Sequence, residues 1–519
     1  MRFRGQFHVS IRDGFIVGML FVLLSLCLWS AIAQDSSQDQ PDWDVRAGAA
    51  HSLGKPQDQR AVASLQPALK RALKKLGEEN EIKNATIPSK RPAASQQIVV
   101  RPGQSIQDAI EAAAPGDTIL VSSGTYRENI NVTKRINLRG MDTGGGTPIV
   151  EPKNGRAITL SVDGIRLEGL VALNSKGNSK DWMENFEGAG IAVASNDNII
   201  ASNSAKNNEI GIYIRGSNNT IRDNIAINNS QFGILLAAAS GNMIASNEIN
   251  NSFSGIALNG SSGNTMIGNT AIDHILSGIY LVESDGNTIR ENIASASWHG
   301  IYLSFSNNTL IERNNASYNN YGITISDSGG NIINGNDASY SSEGIGLINS
   351  SDNTIEDNNI RYNDFSGIYL HNSSDNTIAN NNATDNDPWG IFLGGSSNNA
   401  VIGNTAGNNT GQGIYLQISC NNNLVKGNSA SDNDYGIYLQ DSRDNILYQN
   451  SLLDNKKNNA YDDTGENQWS KDYIGNRYSD FDQPAEGCVD SDGNGRCDSS
   501  YPISGSQKAI DPYPLASRR

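Results

Sequence analysis

Hydrophobic and polar positions repeat with a nearly constant period of about 22 along residues 190–459. Each unit opens with a Gly-Ile pair, continues with one variable residue and then has an aliphatic residue. Two apolar positions separated by one have the period of a β-strand, in which successive side chains point to opposite faces. The pairs begin at Gly190, Gly211, Gly233, Gly255, Gly278, Gly300, Gly322, Gly344, Gly367, Gly390, Gly413 and Gly436.

A column of asparagines keeps the same repeat and stands in the second half of each unit. Asn tolerates left-handed backbone and hydrogen-bonds locally at turns, and stacked Asn side chains can bond from coil to coil. We place the Gly at a corner or a tight backbone approach. The column consists of Asn203, Asn224, Asn247, Asn269, Asn292, Asn314, Asn336, Asn358, Asn381, Asn404, Asn428 and Asn450.

Each unit therefore offers three short apolar segments separated by Asn, Gly and Ser, none long enough for a helix. A fixed period of this length is typical of a solenoid. The pattern predicts an all-β fold, a single-stranded parallel β-helix with three short strands per coil. It predicts regular coils over 190–459, an N-terminal cap with the first coils over 96–189, and a C-terminal cap over 460–519. Ser105 and Asp108 resemble a capping box that opens a short helix over 106–114.

Residues 1–33 have the features of a secretory signal: three early arginines, an apolar stretch over 15–29 and a small-residue site at Ala31 and Ala33. An uncleaved membrane anchor is the alternative. Residues 34–95 are predicted to be a polar linker. No later stretch is apolar enough to span a bilayer.

Net charge and cysteine content narrow the function classes. The formal net charge of −16 argues against nucleic-acid binding and suits an extracellular or cation-binding protein. After signal removal three cysteines remain, in a compartment where disulfides persist. We predict that Cys488 pairs with Cys497 and that Cys420 stays a single thiol within the repeats.

The lead-in "SIQDAIEAAAPGDTILVSSGTYRENINV" and the tail "NQWSKDYIGN…DPYPL", together with the repeat, resemble right-handed parallel β-helix proteins of the pectin-lyase-like superfamily. The resemblance is to the secreted NosD-like, CASH-type group, over about 98–515. It implies the right-handed β-helix fold rather than an activity. NosD naming also suggests copper handling, but His274, His299 and His371 hold different coil positions, so copper is not expected.

The position two residues after each Gly, which we call the central column, faces outward if its neighbours face the core. Exposed, rigid rings in such a column suit stacking on sugars, whereas strand packing of tyrosines alone is the alternative. The predicted carbohydrate-binding residues are Tyr280, Tyr302, Tyr369, Phe392, Tyr415 and Tyr438, with Trp389 just before its Gly.

Asp364 and Asp387 hold the same place in adjacent coils, which predicts a separation of roughly 5 Å. Two carboxylates at that distance could serve a glycosidase, whereas solvated turn residues are the alternative. "WHG" at 298–300, "DPWG" at 387–390 and "GTYREN" at 124–129 each match only part of a β-helix enzyme motif. A polysaccharide lyase, hydrolase or epimerase therefore stays an alternative function, without a complete catalytic set.

The segment "DSDGNGRCD" at 490–498 places oxygen ligands at positions 1, 3, 5 and 9 with Gly495 at position 6, which suits Ca²⁺. A plain acidic turn is the alternative, since position 12 is Tyr501. The predicted ligands are Asp490, Asp492, Asn494, Arg496 through its carbonyl, and Asp498.

These features predict a secreted or cell-surface β-helix protein that binds a polysaccharide or cell-surface glycan or contributes to the envelope. The rivals are a polysaccharide-modifying enzyme and a periplasmic copper-handling accessory.

Overall fold

The computed structural model describes residues 95–177, 187–506 and 508–516. The predicted signal peptide and the predicted linker up to residue 94 lie outside the described residues. Residues 178–186 also lie outside the described residues. No helix in the described ranges is long and apolar enough to cross a membrane.

The described chain is a right-handed parallel β-helix whose coils are built from three parallel sheets. This confirms the fold predicted from the repeat.

The Gly-Ile sheet, named for the repeated pair, has 16 strands. Its strands are Ile130–Val132, Ile158–Leu160, Ala189–Val193, Ile210–Ile214, Phe232–Ala237, Ser254–Asn259, Ser277–Val282, His299–Ser304, Tyr321–Ser326, Glu343–Ile348, Ser366–His371, Trp389–Gly394, Gln412–Gln417, Tyr435–Gln440, Asn458–Asp462 and Ser504–Gly505.

A second sheet, also of 16 strands, follows the first turn of each coil. Its strands are Gln97–Val100, Thr118–Ser122, Asn137–Met141, Arg166–Glu168, Ile199–Ala201, Thr220–Arg222, Met243–Ala245, Thr265–Ile267, Thr288–Arg290, Leu310–Glu312, Ile332–Asn334, Thr354–Glu356, Thr377–Ala379, Ala400–Ile402, Leu424–Lys426 and Ile446–Tyr448.

The third sheet has eight strands, continues as single bridges and resumes with three strands. Its strands are Thr125–Tyr126, Ile149–Val150, Val171–Leu173, Ser204–Lys206, Ile225–Ile227, Glu248–Asn250, Thr270–Ile272, Ile293–Ser295, Ser429–Ser431, Ser451–Leu453 and Arg477–Tyr478.

Identical residues from successive coils lie directly above one another in the core. Ile279, Ile301 and Ile323 are register partners in the Gly-Ile sheet, and all three are fully buried. Burial of each Ile side chain stabilises the folded state by about 1.5–3 kcal/mol. The core is therefore a set of aliphatic columns that run along the solenoid.

The repeated Gly is required by close backbone approach. A Cβ on Gly300 would lie 2.6 Å from the carbonyl oxygen of Gly322 in the next coil and 2.6 Å from Asn319 Nδ2. Any larger residue would push the coils apart, which confirms the tight-approach interpretation.

The Asn column forms the predicted coil-to-coil ladder. The Asn314 side-chain oxygen accepts hydrogen bonds from the backbone and side chain of Asn292, at 2.9 and 3.0 Å. Its amide group donates to the Ile289 carbonyl and to Asn336 Oδ1, at 2.9 and 3.0 Å. The left-handed conformation belongs to the preceding residue, such as Arg313 with φ 52°, rather than to the Asn itself.

Caps close both ends of the described β-helix. Helix α1 (Ile106–Ala112) begins at Ser105, whose hydroxyl accepts from the Asp108 amide as predicted. It ends before the predicted boundary at 114, because Ala113 adopts an extended conformation. Glu128 accepts from the first two amides of α1.

The C-terminal cap contains a 3₁₀ turn, Pro484–Glu486, and an antiparallel pair, Tyr501–Pro502 with Ile510–Asp511. The predicted disulfide between Cys488 and Cys497 is present. Cys420 is a buried free thiol, as predicted.

Candidate functional site: an aromatic face on the Gly-Ile sheet

The outer surface of the Gly-Ile sheet from Ser277–Val282 to Asn458–Asp462 carries all seven predicted carbohydrate-binding residues, and we call it the aromatic face. Its rings stand in the central column and in the column just before each Gly, which we call the flanking column. Strand pairing places each residue of the central column over the equivalent residue of the next coil.

The C-terminal half of the face is one continuous row of rings. Centroid distances along the central column are 5.2 Å from Tyr369 to Phe392, 5.3 Å to Tyr415 and 5.2 Å to Tyr438. Trp389 of the flanking column stacks on Phe392 at 4.6 Å. The structure thus brings five of the seven predicted residues together.

Tyr461 extends this row by one coil, stacking on Tyr438 at 4.4 Å with nearly parallel rings. Tyr461 is not among the predicted residues because its coil has Asn459-Ala460 in place of the Gly-Ile pair. Its place one full repeat after Tyr438 was the available signal.

The N-terminal half holds the other two predicted residues, Tyr280 and Tyr302, stacked at 5.4 Å. His299 of the flanking column lies between Tyr302 and Tyr321, at 4.7 and 4.9 Å. Burial among these rings lowers the pKa of His299 to about 3, so its imidazole is neutral at physiological pH. Its Nδ1 lies 3.2 Å from Thr324 Oγ1.

The rings are less exposed than predicted from the sequence. Phe392 is 5% exposed and Tyr415 is 7% exposed, and the remaining predicted rings are half-buried. The rings of the coils above and below, and rings of the flanking column, cover their faces. Burial raises the pKa of Tyr369 and of Tyr438 to about 12. The aromatic face therefore consists of closely packed rings, of which only the outer edges are exposed to solvent.

The central column is interrupted between the two halves, where Thr324 and Gly346 replace rings. Glu343, in the flanking column, leans into this gap: a Cβ on Gly346 would lie 3.2 Å from Glu343 Oε2. We call the gap, with Glu343 and the rings of Tyr321 and Tyr369, the notch. Burial raises the pKa of the Glu343 carboxyl to about 7.

Asp364 and Asp387 occupy equivalent places in adjacent coils, as predicted, at an exposed corner beside the face. Asp387 accepts a hydrogen bond from the Thr410 hydroxyl. Their catalytic role stays a prediction.

A second set of tyrosines, not anticipated from the sequence, stacks at the corner that precedes the Gly-Ile sheet. Tyr318, Tyr340 and Tyr362 have centroid spacings of 4.9 and 5.1 Å and are 64%, 49% and 44% exposed. All three have left-handed backbone, with φ of 62°, 56° and 58°. The Arg361 guanidinium covers the last ring and pairs with Asp385. Tyrosines at the same place in three successive repeats were the sequence signal.

In the loop at 490–498, which we call the cap loop, side-chain oxygens accept hydrogen bonds from other residues of the same loop. Asp490 accepts from the amides of Asn494 and Gly495, each at 3.0 Å. Asp492 accepts from the Asn494 amide at 3.1 Å, and Asp498 from the Ser491 hydroxyl at 2.6 Å. The Arg496 side chain bonds to Asn494 Oδ1 and the Tyr473 carbonyl. Calcium binding here stays a prediction.

A family profile described as "Periplasmic copper-binding protein (NosD)" matches residues 110–292 and 334–483, more than half of the chain. The chain belongs to the NosD family. A profile for the right-handed β-helix region also matches, over residues 254–387. No curated protein matches the chain.

Solved β-helix structures resemble this NosD family member at low identity. A mutant of the periplasmic alginate epimerase AlgG is 15% identical, with 67% of this chain and 80% of that chain covered and a TM-score of 0.39. The A-module of the Azotobacter vinelandii mannuronan C-5 epimerase AlgE4 is 17% identical, with 68% and 91% covered and a TM-score of 0.30. A mannuronic acid specific family 6 lyase from human gut microbiota is 12% identical, with 66% and 86% covered and a TM-score of 0.34. At these values the likeness concerns the fold alone.

The family's description names copper, so the positions of candidate metal ligands among the described residues matter. No three His, Cys, Asp or Glu side chains in the described ranges gather as a metal site. His274 is buried in the third sheet's turn, where burial lowers its pKa to about 4, and His299 lies within the aromatic face. His371 is exposed and Cys420 is buried elsewhere.

Proposed function

We propose that this NosD family member is a secreted or cell-surface β-helix protein that binds carbohydrate along its aromatic face. The observation that carries the proposal is the unbroken row of rings from Tyr369 to Tyr461, aligned with the solenoid axis. Aromatic rings offer flat, rigid surfaces of low conformational entropy, which suit the C–H faces of sugar rings. A row along the axis suits an extended polymer.

A location outside the cytoplasm agrees with two independent features. The Cys488–Cys497 disulfide is typical of oxidising compartments. The N-terminal sequence has the arrangement of a secretory signal.

The proposal is tested by measuring retention of the full chain on a panel of immobilised polysaccharides. The variant Tyr369→Ala/Tyr438→Ala removes two half-buried rings from the row. Stacked rings contribute about 0.5–1.5 kcal/mol each beyond burial, so affinity should fall roughly ten-fold. Tyr473→Ala is the matched control, because Tyr473 is 67% exposed and lies in the C-terminal cap.

Equal retention of the double variant and the wild type, or no retention on any polysaccharide, would contradict carbohydrate binding by the aromatic row. The rings would then have only a structural role. Circular dichroism of each variant separates lost binding from lost folding.

A polysaccharide-modifying enzyme is the second candidate, and the Glu343 carboxyl favours it. A carboxyl whose pKa lies near neutrality, within an aromatic surface, has the properties of a general acid or base. This candidate requires cleavage or epimerisation of the bound polymer, detected by chain-length analysis and NMR, and loss of turnover in Glu343→Gln.

A further inference from the structure

The notch is the one interruption in the rings of the central column between Tyr302 and Tyr461. Its floor is Thr324 and Gly346, and the Glu343 carboxyl projects over Gly346 rather than away from the surface. Tyr302 lies on one side and Tyr369 on the other. The notch is therefore a depression of one to two coils in length, walled by rings and containing an acid.

The Glu343 carboxyl has no ion pair or hydrogen-bond partner in the part of the chain that the structure describes, and its pKa responds to burial alone. The titratable groups that face it are Tyr321 and Tyr369, both with pKa values raised by burial, and His299 beyond Tyr321 is neutral. No neighbouring cation within the described ranges therefore compensates the carboxylate.

Ser366 provides a second unsatisfied group at the same place. It is the register partner of Glu343 in the flanking column, is fully buried, and its hydroxyl has no hydrogen-bond partner among the described residues. Unpartnered buried polar groups cost free energy, and functional sites are where such a cost is commonly retained. A ligand on the surface that donates hydrogen bonds would satisfy the Glu343 carboxylate, whereas the Ser366 hydroxyl is fully buried and out of a ligand's reach.

The charges around the aromatic face favour a ligand of positive charge. Glu283, Asp327, Asp441 and Asp463 flank the central column and form no ion pair within the described ranges. Lys457, which lies over the Tyr435 ring, is already paired with Asp434. A negative surface repels uronate polymers and attracts cationic ones.

We infer that the notch recognises the protonated amino group of an amino-sugar unit in a glycan bound along the aromatic face. The inference rests on the proposed carbohydrate binding and adds the class of sugar. An ammonium group donates hydrogen bonds to the Glu343 carboxylate, and the surrounding tyrosine rings stabilise it by cation–π attraction. A neutral N-acetylated sugar would leave the carboxylate without a counter-charge.

The test compares three soluble oligosaccharides by calorimetry on the full chain at pH 7: oligomers of glucosamine, of N-acetylglucosamine and of a hexuronic acid. We expect glucosamine oligomers to bind at least ten-fold more tightly than the N-acetylated oligomers, and uronate oligomers to bind most weakly. Repeating the titrations at high salt separates a local contact from diffuse attraction, because diffuse attraction between exposed charges is screened.

Glu343→Gln keeps the side-chain volume and removes the charge. It should reduce the affinity for glucosamine oligomers about ten-fold and leave the affinity for N-acetylated oligomers unchanged. Gly346→Ala places a methyl group 3.2 Å from Glu343 Oε2 and should weaken the same preference without removing the charge. Glu248→Gln, at an exposed position of the third sheet, is the matched control.

The outcomes separate this inference from the proposed function. Neutral oligomers that bind through Tyr369 with no preference for the amine overturn the inference alone. Uronate oligomers that bind most tightly, an amine preference that Glu343→Gln does not change, or turnover of the bound oligomer overturn it as well. If none of the three oligomers binds and no polysaccharide is retained, the inference and the proposed function both fail.

Discussion

At the scale of single residues, the structure tolerates two costly arrangements along one stretch of the β-helix. Glu343 keeps an unpartnered carboxyl among rings of the described chain, and three successive corner tyrosines adopt left-handed backbone. A left-handed conformation costs a non-glycine residue about 1–2 kcal/mol. The two stacked pairs among Tyr318, Tyr340 and Tyr362, at about 0.5–1.5 kcal/mol each, offset part of this cost. Both arrangements lie on or next to the Gly-Ile sheet.

Glu343 should make the stability of the protein depend on pH. Its pKa rises from an ordinary value of 4.5 to about 7 on folding, so between these values the folded state binds more protons than the unfolded state. Stability contributed by the protonated carboxyl is therefore lost as pH rises through this window, by up to roughly 3 kcal/mol at about 1.4 kcal/mol per pKa unit. Glu343→Gln should raise the unfolding temperature at pH 8 and leave it nearly unchanged at pH 4.

Thermal unfolding of the wild type, Glu343→Gln and the control Glu248→Gln at both pH values measures this effect. A stabilisation of equal size at pH 4 and pH 8 would contradict the assignment.

At the scale of elements, the ladders of asparagines hold one coil to the next. Asn314 is buried and satisfies groups of its own coil and of both neighbours. Two further columns of largely Asn and Ser, including Asn287 and Asn386, line the other turns. Because each turn carries such a column, the coils are joined by side chains as well as by strand pairing.

Asn314→Ala should destabilise the protein by about 3 kcal/mol or more. The substitution leaves the buried Asn292 backbone amide without its partner, which costs about 1–3 kcal/mol. It also removes three buried hydrogen bonds, to the Asn292 side chain, the Ile289 carbonyl and Asn336 Oδ1, each of which contributes about 1 kcal/mol. Denaturant unfolding followed by circular dichroism measures the loss. Asn320→Ala is the control, since Asn320 is exposed and only its backbone bonds to a neighbouring coil. Equal effects of the two substitutions would exclude the ladder as a source of stability.

The cap loop yields a prediction about calcium. If Asp490, Asp492 and Asp498 bind Ca²⁺, added calcium should raise the unfolding temperature, and a chelator should reverse the rise, because a ligand that binds only the folded state stabilises it. Asp490→Asn/Asp492→Asn should abolish the response, whereas Asp472→Asn, outside the loop, should preserve it. A calcium response that persists in the double variant would place the ion elsewhere.

At the scale of the whole molecule, each sheet of the solenoid presents a different set of side chains to solvent. The Gly-Ile sheet gathers rings and acids that form no ion pair within the described chain, whereas the exposed side of the second sheet carries ion pairs such as Arg313 with Glu291 and Glu312. Each coil contacts chiefly its two neighbours, so a row of equivalent residues becomes a continuous surface. The length of that surface suits a polymer better than a small molecule.

Sequence periodicity was sufficient to predict most of the fold and part of the aromatic face. The aliphatic columns, the Asn ladder and the pairing of Tyr369 with Phe392 were predictable, because residues one coil apart meet whenever the coils stack in register. The disulfide was predictable because Cys488 and Cys497 lie only 9 positions apart in the sequence. The coverage of Phe392 and Tyr415 was not predictable, because it depends on Trp389 and on the rings above and below. Tyr461 and the corner tyrosines were not predicted, because they lie outside the Gly-Ile pattern.

The amino-acid sequence by itself determined the β-helix, since its repeat length and the alternation of apolar positions admit one way of burying Ile279, Ile301 and Ile323 together. Only the tertiary structure decided that Glu343 would turn over Gly346 and remain without a partner among the described residues. That outcome depends on which side chains of three successive coils compete for the same space. Packing between coils settles such competition, and no pattern within one repeat encodes it.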